Sequence, residues 1–197
     1  MCPRSAEQVE QLKGERRGAL LRAARVVFAK KGLSAAKISE IAAAAGYSYG
    51  LVYHYFPQKE ALFAAVVEET VKSWEDFISA ARQQQAESWD RLLYVCTQMI
   101  LGVREEPEHL LIILRALTED DAPPPVRDAL ARYNQQIREQ LATLIEDGQR
   151  EGSVASGPPM ELARTLLVIV QGLAISRILD KDADFPSMKL VLRFLNP

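Results

Sequence analysis

Hydrophobic residues recur every three to four positions along most of the chain, which predicts a protein built of helices. Near the N-terminus, Ile38, Ile41, Ala42 and Ala45 have the spacing i, i+3, i+4, i+7 and therefore share one helical face. Gly46 should end this helix, because glycine enters the left-handed conformation of a helix end without steric cost. A short amphipathic helix followed directly by a turn is the result.

A second short helix is predicted after that turn, from about Tyr49 to Phe56, with Ser48 at its N-cap. Two short helices joined by a tight turn are typical of a helix-turn-helix, whose second helix fits a DNA major groove. An ordinary helical hairpin has the same periodicity, so the outward residues must distinguish the two. The pattern turns Val52, Tyr55 and Phe56 inward and Tyr49, Gly50, Tyr53 and His54 outward.

The outward face and the charge distribution both favour a DNA contact. Glu, Lys and Gln would serve a solvated helix better than two tyrosines, a histidine and a glycine, whereas hydroxyls and imidazole suit phosphates and base edges. Residues 1–60 hold 10 lysines and arginines and 5 acidic residues, a formal charge of +5, and residues 61–197 carry −7. These basic residues could also form an ordinary solvent-exposed face. A positive end beside a negative remainder is, however, typical of a protein that binds nucleic acid at one end.

A linked set of motifs resembles the N-terminal domain of the tetracycline-repressor (TetR) family over roughly residues 16–64. The resemblance implies an all-α homodimeric repressor that binds a palindromic DNA operator and is released by a small-molecule effector. It divides the chain into a three-helix helix-turn-helix DNA-binding domain, residues 1–60, and a helical effector-binding and dimerisation domain, residues 61–197, with about nine helices in total. The motifs are Leu20–Gly32, Ile41-Ala42, Ala45-Gly46, Ser48–Gly50, Tyr53–Phe56 and Lys59–Leu62.

The positions that match the family motif supply the candidate DNA contacts. Tyr49, Gly50 and Leu51 are the candidates for reading bases, with Gly50 allowing the backbone to approach. The candidates for phosphate contact are Lys37, Ser48, Tyr53, His54 and Lys59.

The sequence departs from the usual family pattern at three places, which are Ala36-Lys37, Tyr47 and Leu51. Tyr47 stands where a small β-branched residue is usual, so we expect it to alter the packing of the turn. Ala36 and Lys37 stand where a threonine pair is usual, one of which caps the second helix and touches phosphate. Ser34 or Ser39 is then expected to cap that helix, and Lys37 to replace the hydroxyl contact with a charge-assisted one. Leu51 stands where a hydroxyl residue is common, so it would offer a thymine methyl an apolar contact.

The periodicity predicts further helices on both sides of this segment. The first should run from about Gly14 to Lys31 after a disordered start, and a long fourth helix should begin near Gln58 and connect the two domains. Ser88 is expected to cap the fifth. An eighth, from about Met160 to Leu179, is apolar on almost every side.

That eighth helix is either a central core helix or part of a subunit interface, since a helix apolar all round must be buried. The family resemblance favours the interface. The candidate interface residues are Leu162, Leu166, Ile169, Val170, Leu173 and Ile178.

The resemblance also implies an effector pocket among the fourth to seventh helices. The large apolar side chains there suit a mostly apolar or aromatic ligand, although each is equally expected in the core. Arg115 would fix a carboxylate of the ligand or pair with an acidic neighbour. The candidate pocket residues are Trp74, Phe77, Trp89, Tyr94, Met99, Arg115 and Tyr133.

Other classes of protein receive little support. Cys2 and Cys96 are too few for a disulfide framework and lack metal-ligand spacing, and the apolar run Leu166–Val170 is far shorter than a membrane span of ~18 residues. We therefore expect a cytoplasmic protein without cofactor, metal or membrane partner. An all-α enzyme would need a catalytic constellation that the two distant histidines do not supply, and a helical dimerisation protein would leave the basic N-terminal part unexplained.

Overall fold

The computed structural model describes residues 6–118, 122–180, 182 and 184–197. Over these residues the chain forms nine α-helices and a short 3-10 helix, and the predicted all-α fold is confirmed. Cys2 lies outside the described residues. The helices are α1 Ala6–Ala35, α2 Ile38–Ala45, α3 Tyr49–Tyr55, α4 Lys59–Arg82, α5 Ser88–Glu105, α6 Glu108–Thr118, α7 Pro124–Arg150, α8 Pro159–Leu179 and α9 Met188–Val191, followed by the 3-10 helix Arg193–Leu195.

The chain packs into two compact units. The first consists of Met1–Glu69 and Ile112–Arg127, and the second of Thr70–Leu111 and Asp128–Pro197. The predicted DNA-binding domain, residues 1–60, falls inside the first unit, while a domain boundary at residue 60 stays a prediction. Helices α4, α6 and α7 each begin in one unit and end in the other.

Aromatic packing between α1 and α4 forms the centre of the first unit. Phe28 and Phe63 are fully buried, and their rings meet edge to face with centroids 5.2 Å apart. Beside them the Arg25 guanidinium donates to the Glu69 carboxylate at 2.8 Å, which joins the same two helices. The short helices close this core with their apolar faces: Ile38, Ile41 and Ala42 from α2, and Val52 from α3.

Helix α1 begins earlier than its hydrophobic pattern predicts. Residues 6–13 are helical, so the expected disorder is wrong from Ala6 onward. The hydrophobic pattern missed residues 6–13 because the Glu, Gln and Lys residues of this segment favour helix by propensity but bury little apolar surface. The predicted break at Gly32 is real: its φ of 74° and ψ of 177° interrupt the helix before a last turn to Ala35.

The second unit is organised by α5 against α8. Cys96 lies in this core, as predicted, and burial raises the pKa of its thiol to about 12, which makes it an inert packing residue. Helix α8 contributes the inward stripe Ala163, Leu166, Val170 and Ala174.

Four other apolar residues of α8 face outward, so α8 is not a central core helix of its own chain. Val168, Ile175, Ile178 and Leu179 are between 43% and 82% exposed. Among the helices in the described part of the chain, α8 alone is long and apolar enough to span a membrane, and only 22% of its most apolar stretch is buried. Soluble proteins that pair through an apolar helix have a helix of the same length and composition. The exposed apolar surface of α8 therefore indicates an interaction surface but does not identify the partner.

A carboxylate from elsewhere in the chain caps α5. Ser88 is fully buried and does not cap this helix, contrary to the prediction. Instead, its backbone N–H donates to Glu151 Oε2 at 3.1 Å and its hydroxyl donates to Glu151 Oε1 at 2.7 Å. Both hydrogen bonds lower the pKa of Glu151, and the one from the hydroxyl has the larger effect. An anion placed at a helix N-terminus satisfies free N–H groups and interacts favourably with the helix dipole.

We expect Glu151→Gln to lower the free energy of unfolding at neutral pH, because an amide replaces a carboxylate that accepts two hydrogen bonds. A carboxyl group whose pKa is lowered on folding stabilises the protein above its ordinary pKa of 4.5, and this contribution disappears as the pH falls through the lowered value. Urea denaturation of both proteins across pH 3 to 8 should therefore show two curves that converge in acid. Glu146→Gln, at an exposed position of α7, is the control; an equal loss in both variants would contradict the cap.

Candidate nucleic-acid interface and ligand cavity

The turn between α2 and α3 is built from backbone hydrogen bonds around a left-handed glycine. Gly46 has φ 72° and ψ 26°, as predicted for a residue that ends a helix. Its N–H donates to the Ala43 carbonyl at 3.1 Å, and the Tyr47 N–H donates to the Ala42 carbonyl at 2.9 Å. These bonds satisfy the last carbonyls of α2 and fix the direction in which α3 starts.

Both ends of α3 are held by named contacts. The Ser48 Oγ accepts from the Leu51 N–H at 3.3 Å, so the predicted N-cap is confirmed. At the other end, the Phe56 N–H donates to the Val52 carbonyl at 2.8 Å. The Phe56 ring is buried, and the Arg17 guanidinium of α1 lies over it at 5.4 Å in a cation–π contact.

The outward face of α3 presents the residues predicted for it. Tyr49 and Tyr53 are 55% and 40% exposed, Gly50 and His54 are exposed, and Leu51 is half-buried. The two tyrosines form a pair with rings 5.0 Å apart and hydroxyl oxygens 3.3 Å apart. The hydrogen bond to Tyr49 raises the pKa of Tyr53, so Tyr53 stays a neutral hydroxyl at physiological pH. One of the two hydroxyl hydrogens forms the hydrogen bond within the pair, and the other can be donated to an acceptor outside it.

Gly50 is not required by the fold. A Cβ added there would meet no heavy atom within 4 Å, and its backbone conformation is ordinary helix. Alanine would stabilise a helix at such a position by up to about 1 kcal/mol. A glycine that costs stability and has open space in front of it fits a surface that another molecule approaches closely.

Lys59 is bonded to the protein rather than extended toward solvent. Its ammonium donates to the carbonyls of Ser34 at 3.0 Å and Ala36 at 3.2 Å, so it fastens the start of α4 to the connection between α1 and α2. The sequence predicted a phosphate contact from the unfavourable position of a lysine in the first turn of a helix. The carbonyl bonds explain the same position, and they leave one of its three N–H donors for a phosphate.

Glu40 caps α2 in place of the expected serines. The Lys37 N–H donates to Glu40 Oε2 at 3.4 Å, and the N-cap residue of α2 is Lys37 rather than Ser34 or Ser39. Lys31 donates to Glu40 Oε1 at 2.7 Å, and this bond is the main cause of the lowered pKa of Glu40. The spacing of Lys37 and Glu40 is that of a capping box, a signal that the search for serines overlooked. The Lys37 side chain is exposed beside this cap.

The second unit holds a cavity of about 310 Å³ between residues of α4, α5 and α6. Its apolar lining includes Trp74 and Phe77, two of the predicted pocket residues, whose rings meet edge to face at 5.7 Å. Its polar lining includes Glu105, Glu106 and His109, none of which is among the residues that the sequence predicted for the pocket. His109 Nδ1 lies 3.0 Å from the Glu106 carboxylate. The other lining residues are Ser73, Gln98, Leu101, Gly102, Val103 and Leu110.

The other predicted pocket residues lie elsewhere. Tyr94 packs on Phe77 at 5.7 Å, Met99 and Tyr133 are buried in the core, and Trp89 lines a separate hollow with Asn196 and Pro197. Burial raises the pKa of Tyr133, which therefore stays neutral. In the first unit, Arg115 donates to the carbonyls of Ala29 and Lys30 near the end of α1, both at 3.4 Å. Periodicity identifies large side chains near a cavity but not which of them border it.

Two family models match the chain. The one described as bacterial regulatory proteins, tetR family, matches residues 20–66, and the one described as tetracyclin repressor-like, C-terminal domain, matches residues 88–188. The second match alone covers more than half of the chain. This chain belongs to the TetR family. It is a DNA-binding transcriptional regulator, and the family assignment makes it a transcription factor rather than an enzyme.

Individual relatives agree with the TetR assignment. The HTH-type transcriptional repressor KstR2 of Mycolicibacterium smegmatis is 28% identical over 141 residues, which is 70% of this chain and 67% of KstR2. The structure of the ketosteroid transcriptional regulator KstR2 of Mycobacterium tuberculosis has a TM-score of 0.73 at 19% identity, over 92% of this chain and 95% of that one. A transcriptional regulator from Saccharomonospora viridis in complex with choline has a TM-score of 0.71 at 23% identity, over 91% and 93%.

Substitution at Gly50 separates the fold of this TetR-family regulator from its DNA contact. We expect Gly50→Ala to raise the free energy of unfolding by up to about 1 kcal/mol and to weaken binding to its DNA site about ten-fold, because the added methyl holds the two surfaces apart. Denaturation and fluorescence anisotropy with labelled DNA measure the two effects. Gly14→Ala, at an equally open position of α1, is the control. Unchanged DNA affinity in Gly50→Ala would contradict the close approach.

Proposed function

We propose that this protein is a cytoplasmic, homodimeric transcriptional repressor that binds a palindromic operator through α3 and is released by a small-molecule effector bound in the α4–α6 cavity. The observation that carries the proposal is the outward face of α3. It exposes aromatic hydroxyls, an imidazole and an open glycine on a helix whose two ends are fixed by the fold.

The face divides into groups suited to bases and groups suited to the DNA backbone. Tyr49, Gly50 and Leu51 lie in the first turn of α3, the part of a recognition helix that contacts base edges. The phosphate candidates surround them: Ser48, Tyr53 and His54 on or beside α3, with Lys37 and Lys59 at the starts of α2 and α4. The carbonyl bonds of Lys59 favour a second role, which is to position the turn before α2.

The outward apolar face of α8 supports a homodimer. Val168, Ile175, Ile178 and Leu179 form an exposed surface of a kind that monomeric proteins rarely keep. Leu166 and Val170, named in the sequence prediction, lie in the chain's own core, whereas Leu162, Ile169 and Leu173 are half-buried and remain candidates. A homodimer presents two copies of α3, which suits a two-fold symmetric DNA site whose half-sites lie in successive major grooves about 34–36 Å apart.

The cavity supports control by an effector. Its volume of about 310 Å³ lies at the lower end of the range for small-molecule sites, and its walls are mostly apolar with a few polar groups. The relatives indicate that such effectors differ: one solved structure is of a ketosteroid transcriptional regulator and another is of a regulator in complex with choline. An effector releases DNA only if it binds the free conformation more tightly than the DNA-bound one.

The division of roles on α3 predicts different outcomes for two substitutions. We expect Tyr49→Ala to reduce the preference for operator over unrelated DNA, because a base contact is lost, and Lys59→Ala to weaken binding to every sequence. Operator would first be isolated from random genomic fragments, and affinities then measured on operator and scrambled DNA at several salt concentrations. A salt slope lowered by about 1 in Lys59→Ala would indicate a direct phosphate contact, and an unchanged slope a positioning role. Equal loss on both DNAs in Tyr49→Ala would contradict base reading.

The dimer proposal predicts that a charge on the outward face of α8 separates the subunits. We expect Ile175→Asp to give a monomer in analytical ultracentrifugation and to reduce operator affinity at least ten-fold, because two half-sites are no longer bound together. Leu117→Asp, at an exposed apolar position of α6, makes the same chemical change on another helix and should stay dimeric. A dimeric Ile175→Asp protein would place the interface elsewhere.

A further inference from the structure

The polar lining of the α4–α6 cavity is acidic. Glu105 and Glu106 both border it, and no lysine or arginine does so among the residues that the structure describes. Glu106 is already beside the His109 imidazole, whereas Glu105 has no side-chain partner within the described ranges. An anionic ligand would therefore meet like charge, and a cationic one would find an available carboxylate.

The end of α5 adds to this negative potential. The helix ends at Glu105, beside the cavity, and its last carbonyl groups carry the negative end of the helix dipole. A cation of the protein already uses one of them: Arg177 Nε donates to the Arg104 carbonyl at 3.3 Å. The backbone and the side chains at this end of the cavity thus favour the same sign of charge.

The α4 side of the cavity offers aromatic surface. Trp74 and Phe77 lie one helical turn apart on α4 and both border the cavity. A Cβ added at Gly102 of α5 would be in van der Waals contact with the Trp74 ring, at 3.9 Å, so glycine at this position leaves that part of the indole without a side chain against it. Indole is the side chain that attracts organic cations most strongly.

We infer that the cavity binds an organic cation, a quaternary ammonium or protonated amine carried on an apolar group. The charged group lies toward Glu105 and the Trp74 ring, and the apolar group lies against Phe77 and Leu110. This inference rests on the proposed function, which makes the cavity the effector site, and it names the class of effector. It also replaces the expectation of a carboxylate held by Arg115, since Arg115 is bonded to the end of α1.

Three probes of similar shape test the sign of the charge. Isothermal titration of the full-length protein would compare benzyltrimethylammonium with its neutral isostere neopentylbenzene and with the carboxylate 3-phenylpropanoate. We expect the cation to bind at least about five-fold more tightly than the neutral isostere and the carboxylate to bind most weakly. Equal or tighter binding of either competitor, or binding of none of the three, would overturn the inference.

Variants locate the binding. Glu105→Gln with Glu106→Gln should weaken binding of benzyltrimethylammonium about five-fold and leave neopentylbenzene within about two-fold. Glu108→Gln, a neighbouring acid that does not border the cavity, is the matched control and should change neither. The loss of cation preference in the control but not in the double variant would place the site elsewhere and reject the assignment.

Operator release separates this inference from the proposed function. A cation that binds in the cavity but leaves the operator complex intact would support the ligand class and contradict the regulatory role. Release of operator by a neutral or anionic compound, lost when Trp74 is replaced by Ala, would support the regulatory role and contradict the ligand class.

Discussion

Seven residues of helix have to be held in place from outside, because a single isolated turn or two of helix is unstable in water. Helix α3, with its seven residues, depends on this external support. Ser48 accepts from the Leu51 N–H at its start, Val52 anchors its inner face, and Phe56 closes its end beneath Arg17. The contacts that hold α3 in the fold thus involve its two ends and its inner side. The side chains on its outer side are not needed for the fold and are available for another function.

The same need for outside support explains the contacts around the connection between α1 and α2. Glu40 and Lys59 act on the two ends of the connection between α1 and α2, one by accepting from an N–H group and the other by donating to carbonyls. Each forms hydrogen bonds with backbone groups that a helix end leaves without a partner in the helix. The orientation of α3 relative to α1 then follows from local hydrogen bonds and a shared apolar core.

Local signals in the sequence were sufficient for the helix-turn-helix. The apolar period of α2, the glycine at 46 and the serine at 48 each act within a few residues, so they can be seen without coordinates. The cap of α5 by Glu151 joins residues 63 positions apart, and the cavity joins residues of three helices, so no short window along the chain contains either. Periodicity showed that α8 is apolar, but only burial distinguishes Leu166, which faces the core, from Val168, which faces outward.

The hydrogen-bonded tyrosines on α3 have a consequence for how this regulator can change in evolution. Because one hydroxyl orients the other, replacing either tyrosine alters the remaining one as well, and the two effects are not additive. In the proposed role of this pair as a DNA contact, a shift to a different DNA site therefore favours paired substitutions over single steps. Closely related proteins that keep both tyrosines should recognise similar sites, and those that lose one should more often have lost both.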